Sequence, residues 1–161
     1  MKKLLILVCG VLFFATSCLS GGATPGSSSA TYYGELTVVE TDTNETSYFD
    51  NDASVSIWIP NITEPKFDFI FNGVRFDYLM PVKLNIEVTG IPFKMTISED
   101  QTKMNYIFEA SNIVPKAGGV EYEKYKIGEF KGCVGQQTEI TFTMPSKNKI
   151  VYFKTNYTAV E

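Results

Sequence analysis

The sequence predicts an all-β domain, a single antiparallel up-and-down β-barrel of about 8–10 short strands, with a β-sandwich as the alternative. Three observations predict it. From Thr31 onward apolar residues recur at every second position; Pro and Gly fall between these runs; and helical spacing is almost absent. Alternation at period two gives each segment one apolar face, the signature of a half-buried antiparallel strand.

The first element is a leader. Lys2 and Lys3 precede an apolar run from Leu4 to Phe14, followed by Ala15-Thr16-Ser17-Cys18. The run is about half of the roughly 20 residues that a membrane-spanning helix requires. Charged, apolar and small-residue portions in that order make a secretory signal over residues 1–17. The small residues before Cys18 resemble a bacterial lipobox, and cleavage there leaves Cys18 first, with a thiol that takes lipid. Each buried CH₂ contributes about 0.8 kcal/mol, so two or more chains anchor far better than one. An ordinary secretory signal with Cys18 as an incidental thiol is the alternative. Residues 18–30 then form the lipidated cysteine and a flexible Gly/Ser tether with an rms reach of roughly 20 Å. The domain proper is expected over 31–161.

Within it, Tyr33 to Glu40 opens the strand series. The Asp/Asn-rich run Asp42 to Asp52 reads as a flexible loop; it lacks the spacing and central glycine of a calcium-binding EF-hand. Next comes Val55, Ile57 and Ile59 against Ser54, Ser56 and Trp58, then Phe67, Phe69 and Phe71. Asn72-Gly73 suits a type I′ hairpin turn. It leads into a strand with Val74, Phe76 and Tyr78. Val82, Leu84, Ile86 and Val88 form another, and Phe93, Met95 and Ile97 the next. After the turn Glu99 to Thr102 come Met104, Tyr106 and Phe108, a loop from Pro115 to Gly119, and a weaker strand from Tyr122 to Phe130. Ile140, Phe142 and Met144 follow, then an alternation around Ile150, Tyr152 and Lys154. Pro60, Pro65, Pro81, Pro92, Pro115 and Pro145 are placed at strand ends, where a missing N–H breaks no central ladder.

Composition narrows the function. The chain has no histidine, which excludes His-based triads, His-ligated zinc and Cys-His nucleophilic pairs. Without Lys2 and Lys3 the 14 basic residues fall to 12 against 18 acidic ones, a net charge of −6. That argues against nucleic acid as a partner. With Cys9 removed and Cys18 lipidated, Cys133 is the remaining thiol, so no internal disulfide is possible, and Cys133 reads as a small buried hydrophobe. The motifs Asn44-Glu45-Thr46, Asn61-Ile62-Thr63 and Asn156-Tyr157-Thr158 match the glycosylation sequon by chance in a bacterial protein.

The opening Tyr33-Gly34-Glu35-Leu36-Thr37-Val38, the FDFIFNGVRF segment and MPVKLNIEVTGIPF from Met80 to Phe93 resemble the calycin-like β-barrel lipoproteins of Gram-negative anaerobes. The family is distantly similar to lipocalins, and the resemblance spans most of Thr31 to Glu161. It implies a lipocalin-like barrel and assigns no chemistry. Leu36 stands where the lipocalin signature carries Trp.

Candidate site residues follow from these placements. Cys18 carries the lipid and with it membrane attachment. Phe69, Phe71 and Phe76, with Phe67, Leu84, Ile86, Met95, Ile97, Phe108, Phe142 and Met144, point inward, where they either fill the barrel or line a cavity for a small hydrophobic ligand. Trp58 stands on a polar face, where it anchors a partner or a sugar ring or else packs under a loop. Tyr122 and Tyr125, interleaved with Glu and Lys, read as an exposed edge. Asp68 and Asp77 are expected to face one another across Asn72-Gly73, beside Arg75, as a solvated polar face. No metal, cofactor or catalytic residue is assigned. The expected function is therefore a non-enzymatic binding or interaction module of the cell envelope. It would be lipid-anchored and face the periplasm from the outer membrane, because no acidic run follows Cys18; the cell surface is the alternative. A lipocalin-like carrier, and a glycan-binding or enzymatic domain with an unrecognised site, are the other function classes.

Overall fold

The computed structural model describes residues 28–61, 63–97 and 103–155. Among the described residues there are ten strands: β1 (Ser28–Glu40), β2 (Thr46–Ile59), β3 (Lys66–Val74), β4 (Leu84–Ile97), β5 (Met104–Ile113), β6 (Lys116–Ala117), β7 (Val120–Glu121), β8 (Ile127–Val134), β9 (Glu139–Met144) and β10 (Lys149–Thr155). Each long strand pairs antiparallel with its neighbour in sequence, β5 runs on to β8, β10 returns to β1, and β3 pairs with both β2 and β4. The result is a closed eight-stranded antiparallel barrel of the calycin/lipocalin-like kind. Closure replaces the sandwich alternative, since β1 to β5 and β8 to β10 form one continuous ring. The short β6–β7 hairpin is appended to β4 through Glu87 and Lys116.

Phenylalanine fills the ring. Of the 12 in the sequence, Phe67, Phe69, Phe71, Phe76, Phe108, Phe130, Phe142 and Phe153 are buried. Phe69 lies 5.0 Å, centroid to centroid, from both Phe108 and Phe130, and Phe71 lies 5.2 Å from Phe142. These tilted and edge-on contacts suit the ring quadrupoles and add to the area buried. Gly132 makes the packing possible, because a Cβ there would fall 2.1 Å from the Glu139 carbonyl oxygen and 2.8 Å from Phe108 Cζ.

Strands β3 and β4 meet through two reciprocal bulges. Between Phe71↔Ile86 and Val74↔Leu84 the extra residue lies on β3; between Phe67↔Ile91 and Phe69↔Val88 it lies on β4. At the first Gly73 has φ +56°, and at the second Gly90 has φ +72°. Each glycine amide is caught from the facing strand, Gly73 N–H by Asn85 Oδ1 at 2.7 Å and Gly90 N–H by Asp68 Oδ1 at 2.6 Å. A bulge of this type needs one left-handed residue, whereas a type I′ turn needs two. Asn72 is not left-handed, so Asn72-Gly73 bends β3 and makes no hairpin. The expected strand at Val74, Phe76 and Tyr78 is accordingly a loop from 75 to 83, and Asp68 and Asp77 do not face each other. The two expected strands at Val82–Val88 and Phe93–Ile97 are one strand, β4, with Pro92 inside it opposite Lys66.

Other expectations shift for related reasons. β1 begins at Ser28, inside the segment read as tether. Most of the Asp42–Asp52 run is strand β2, whose bulge at Asn51-Asp52 reverses the facing so that Tyr48 is buried and Phe49 exposed. On β10 the inward residues are Lys149, Val151 and Phe153, not the Ile150, Tyr152 and Lys154 set; in an unbroken apolar stretch the pattern does not fix the face. Met95 and Ile97 are exposed, because the β4–β5 hairpin continues past the rim. Cys133 is half-buried on the outer face, opposite Ile107 and Glu139. Burial, and then the Glu139 carboxylate, push its thiol pKa up.

Phe130→Ala is expected to lower stability by about 3–5 kcal/mol, and Gly73→Ala by about 1 kcal/mol through its positive φ. Gly132→Ala should be worse than Gly73→Ala, since backbone must move to admit the methyl. Urea denaturation followed by circular dichroism tests all three, and an innocuous Gly132→Ala would refute the close approach.

Candidate functional site

The two ends of the barrel differ. At one end lie Ser28 of β1, Ile59 of β2, the β4–β5 hairpin and Thr155 of β10. At the other lie the turn 41–45, the loop 75–83, the connection 114–126 and the turn 145–148. The longer connections close this second end, and they carry the polar chemistry of the domain.

Tyr125 is the plug. It sits on a 3-10 turn, Glu123–Tyr125, and is buried, contrary to its reading as an exposed edge; Tyr122 is half-buried and stacks on it at 6.1 Å. Its ring meets Phe76 at 5.5 Å, and its hydroxyl lies 4.0 Å from Met80 Sδ. A second 3-10 turn, Pro145–Lys147, is drawn alongside when Ser146 Oγ donates to the Lys124 carbonyl at 3.0 Å. Lys124 and Lys147 place their ammonium groups 5.0 and 5.9 Å from the centroid of the Tyr125 ring, within cation–π range.

Lys149 is the buried charge of this end. It opens β10 facing inward, and its Nζ donates to Ser47 Oγ at 3.0 Å, to Asp77 Oδ2 at 3.2 Å and to Glu40 Oε1. Burial works to lower its pKa, but the bonds to Glu40 and Asp77 outweigh burial and hold it above the ordinary value. It is an ammonium ion at neutral pH, unsuited to act as a nucleophile. Asp77 is held below the usual carboxylate range, chiefly by the backbone N–H of Leu79 at 2.8 Å and then by Lys149. The cluster therefore ties the loop 75–83 to β1, β2 and β10. It is a fastening, with each charged group already engaged.

The predicted site residues do not converge. Phe69 and Phe71 are fully buried in the interior and Phe76 lies beneath Tyr125. Trp58 is half-buried at the opposite rim, beside a recess of about 10 Å³ that also touches Tyr32, Ile57, Phe67, Tyr106 and Val134. That volume is about one water. Cys18 lies outside the described residues. Among the described residues no group of three or more His, Cys, Asp or Glu is placed to hold a metal ion. Lys149 and Leu79 were not singled out by the sequence, and Tyr125 and Asp77 were read there as exposed surface; the available signal was the apolar run Tyr78-Leu79-Met80 in a stretch flanked by Asp77 and Lys83.

No family model matches the chain, and no curated protein or solved structure matches it significantly.

The fastening has a pH signature. Asp77 has a folded pKa below its unfolded value near 4, so its contribution is complete above that value and is lost as pH falls through the folded one. Lys149 has a folded pKa above its unfolded value near 10.4, so its contribution is complete below that and is lost as pH rises through the folded one. Lys149→Met should therefore lower stability by about 1–2 kcal/mol at pH 7, discounted because Glu40 and Asp77 keep about a third of their exposure and can hydrate. Denaturation midpoints across pH should also lose part of the acid limb in Asp77→Asn; an unchanged profile would count against the cluster.

Proposed function

We propose that this chain is a membrane-anchored bacterial lipoprotein whose small barrel serves, without catalysis, as a binding or interaction module of the cell envelope. The observation that carries this reading is the filled interior. Phe69, Phe71 and Phe76 contact other rings along the barrel, and a carrier of a small hydrophobic ligand would need the volume they occupy. Recognition is then left to the outer surface and the loops. The closed eight-stranded barrel is compatible with membership of the calycin-like lipoproteins that the strand sequences resemble.

The anchor is supported by the leader and by Cys18. Strand β1 starts ten residues beyond that cysteine, which leaves a short Gly/Ser-rich connection to a folded barrel. By analogy with sorting signals of some bacteria, Leu19 in place of a retention Asp and the lack of an acidic run after Cys18 support the outer membrane, facing the periplasm. A non-enzymatic role is supported by Lys149, Glu40 and Asp77, whose charges are spent on one another.

Mass spectrometry of native material is expected to find Cys18 at the N-terminus bearing acyl chains, and no co-purified small hydrophobe. Equal release of wild type and Cys18→Ala as soluble protein would overturn the anchor. In a melting experiment, a fatty acid bound with micromolar affinity would raise Tm by about 5–10 °C at 100 µM, and we expect a shift below about 1 °C. A larger shift would restore the carrier reading.

A further inference from the structure

The loop from 75 to 83 exposes side chains of an unusual kind for its position. Tyr78 is 63% exposed, Leu79 90% and Val82 61%. A loop serving only as a connection would carry polar groups here and would be free to move. This one is apolar at its tip and pinned along its length. Asp77 accepts the Leu79 N–H at 2.8 Å and binds Lys149 at 3.2 Å. Met80 turns inward, its Sδ accepting the Phe76 N–H at 3.1 Å and lying 4.0 Å from the Tyr125 hydroxyl. The Tyr78 N–H donates to the Ser47 carbonyl at 3.4 Å and its ring meets Tyr48 at 5.1 Å. Lys83 closes the loop on Asp50 at 3.5 Å. A segment ordered beforehand loses less entropy on association, so its apolar contacts convert to affinity more fully.

We propose that Tyr78, Leu79 and Val82 form a preorganised docking knob for a partner protein of the envelope, which receives it in an apolar cleft rimmed by carboxylates. Two observations choose that occupant. The first is where the rest of the chain attaches. β1 starts at Ser28 and β10 reaches Thr155 at the opposite end of the barrel, and 13 residues of β1 at the usual tilt span about 30 Å. The segment that precedes Ser28 joins the barrel at that far end, and under the anchored reading the bilayer lies there too. The second is charge. Lys124 and Lys147 flank the Tyr125 ring on which Met80 rests, and among the described residues neither has a carboxylate partner. Glu123, on the same turn as Lys124, pairs with neither. Lysines that rest on an aromatic ring with no carboxylate partner, in a chain whose net charge is −4, favour acidic groups around the cleft.

This proposal deepens the reading of the domain as an interaction module, and lipidation is measured separately by the mass of the N-terminal peptide, so a lipidated chain that fails the following test sinks the knob alone. The lipidated full-length chain is made in the cells that carry it, with photoreactive benzoylphenylalanine replacing Leu79 or Val82, and Met95 or Ile97 as positions at the other end. Irradiation is expected to give one protein adduct from 79 and 82 and none from 95 and 97. Its yield should fall at least tenfold in Lys124→Glu/Lys147→Glu. The captured protein, purified, should bind the wild-type chain at least tenfold more tightly than Leu79→Asp, whose exposed substitution leaves Tm unchanged. Adducts from both ends alike, to lipid or to a second copy of this chain, a yield indifferent to the lysines, or no adduct at all would each overturn the proposal.

Discussion

The structure depends on one packing constraint: a ring of eight strands must be filled by its own side chains. Phenylalanine supplies the volume, and the contacts among Phe69, Phe108, Phe130 and Phe142 run from strand to strand across the interior. Close packing of this sort leaves little tolerance for a change of even one methylene. The glycine at position 132 belongs to the same arrangement, since the space its missing side chain vacates is where Phe108 fits. A core of this composition can hold a domain of this size together without a disulfide.

The bulges at Gly73 and Gly90 solve a second problem, that of closing the ring at β3 and β4. Each inserts one residue, so each reverses which residues point inward. Phe67, Phe69 and Phe71 face the core on one side of Gly73, and Val74 and Phe76 on the other. On β4 the change is from Ile86 and Val88 to Ile91. Because the two bulges lie on opposite strands, they bend the pair without leaving a net offset between the strands.

Legibility in the sequence follows from the same features. Alternation was clear wherever a strand had one polar face, as in Val55 to Ile59, and there the barrel and its core were read correctly. It failed where a bulge changed the parity, at Asn51-Asp52 and at Gly73, because one inserted residue looks locally like a turn. It failed also in Ile150 to Phe153, where apolar side chains occupy both faces. The cluster at the plugged end was not legible at all. Glu40, Ser47, Asp77 and Lys149 come from four places in the chain, and their meeting is a product of barrel closure that no local pattern records. Tyr125 was missed because charged neighbours on both sides make it look solvated, while the 3-10 turn directs that one ring inward.

Ser28 and Thr155 emerge at the same rim, and the connections that plug the barrel all gather at the other. The domain therefore behaves as a cassette with a single attachment side. A segment joined before β1 or after β10 emerges beside the same rim, and the plugged end stays clear of whatever the chain is joined to. Such a unit can be moved between anchors, or placed within a longer chain, without rearranging the surface that it presents.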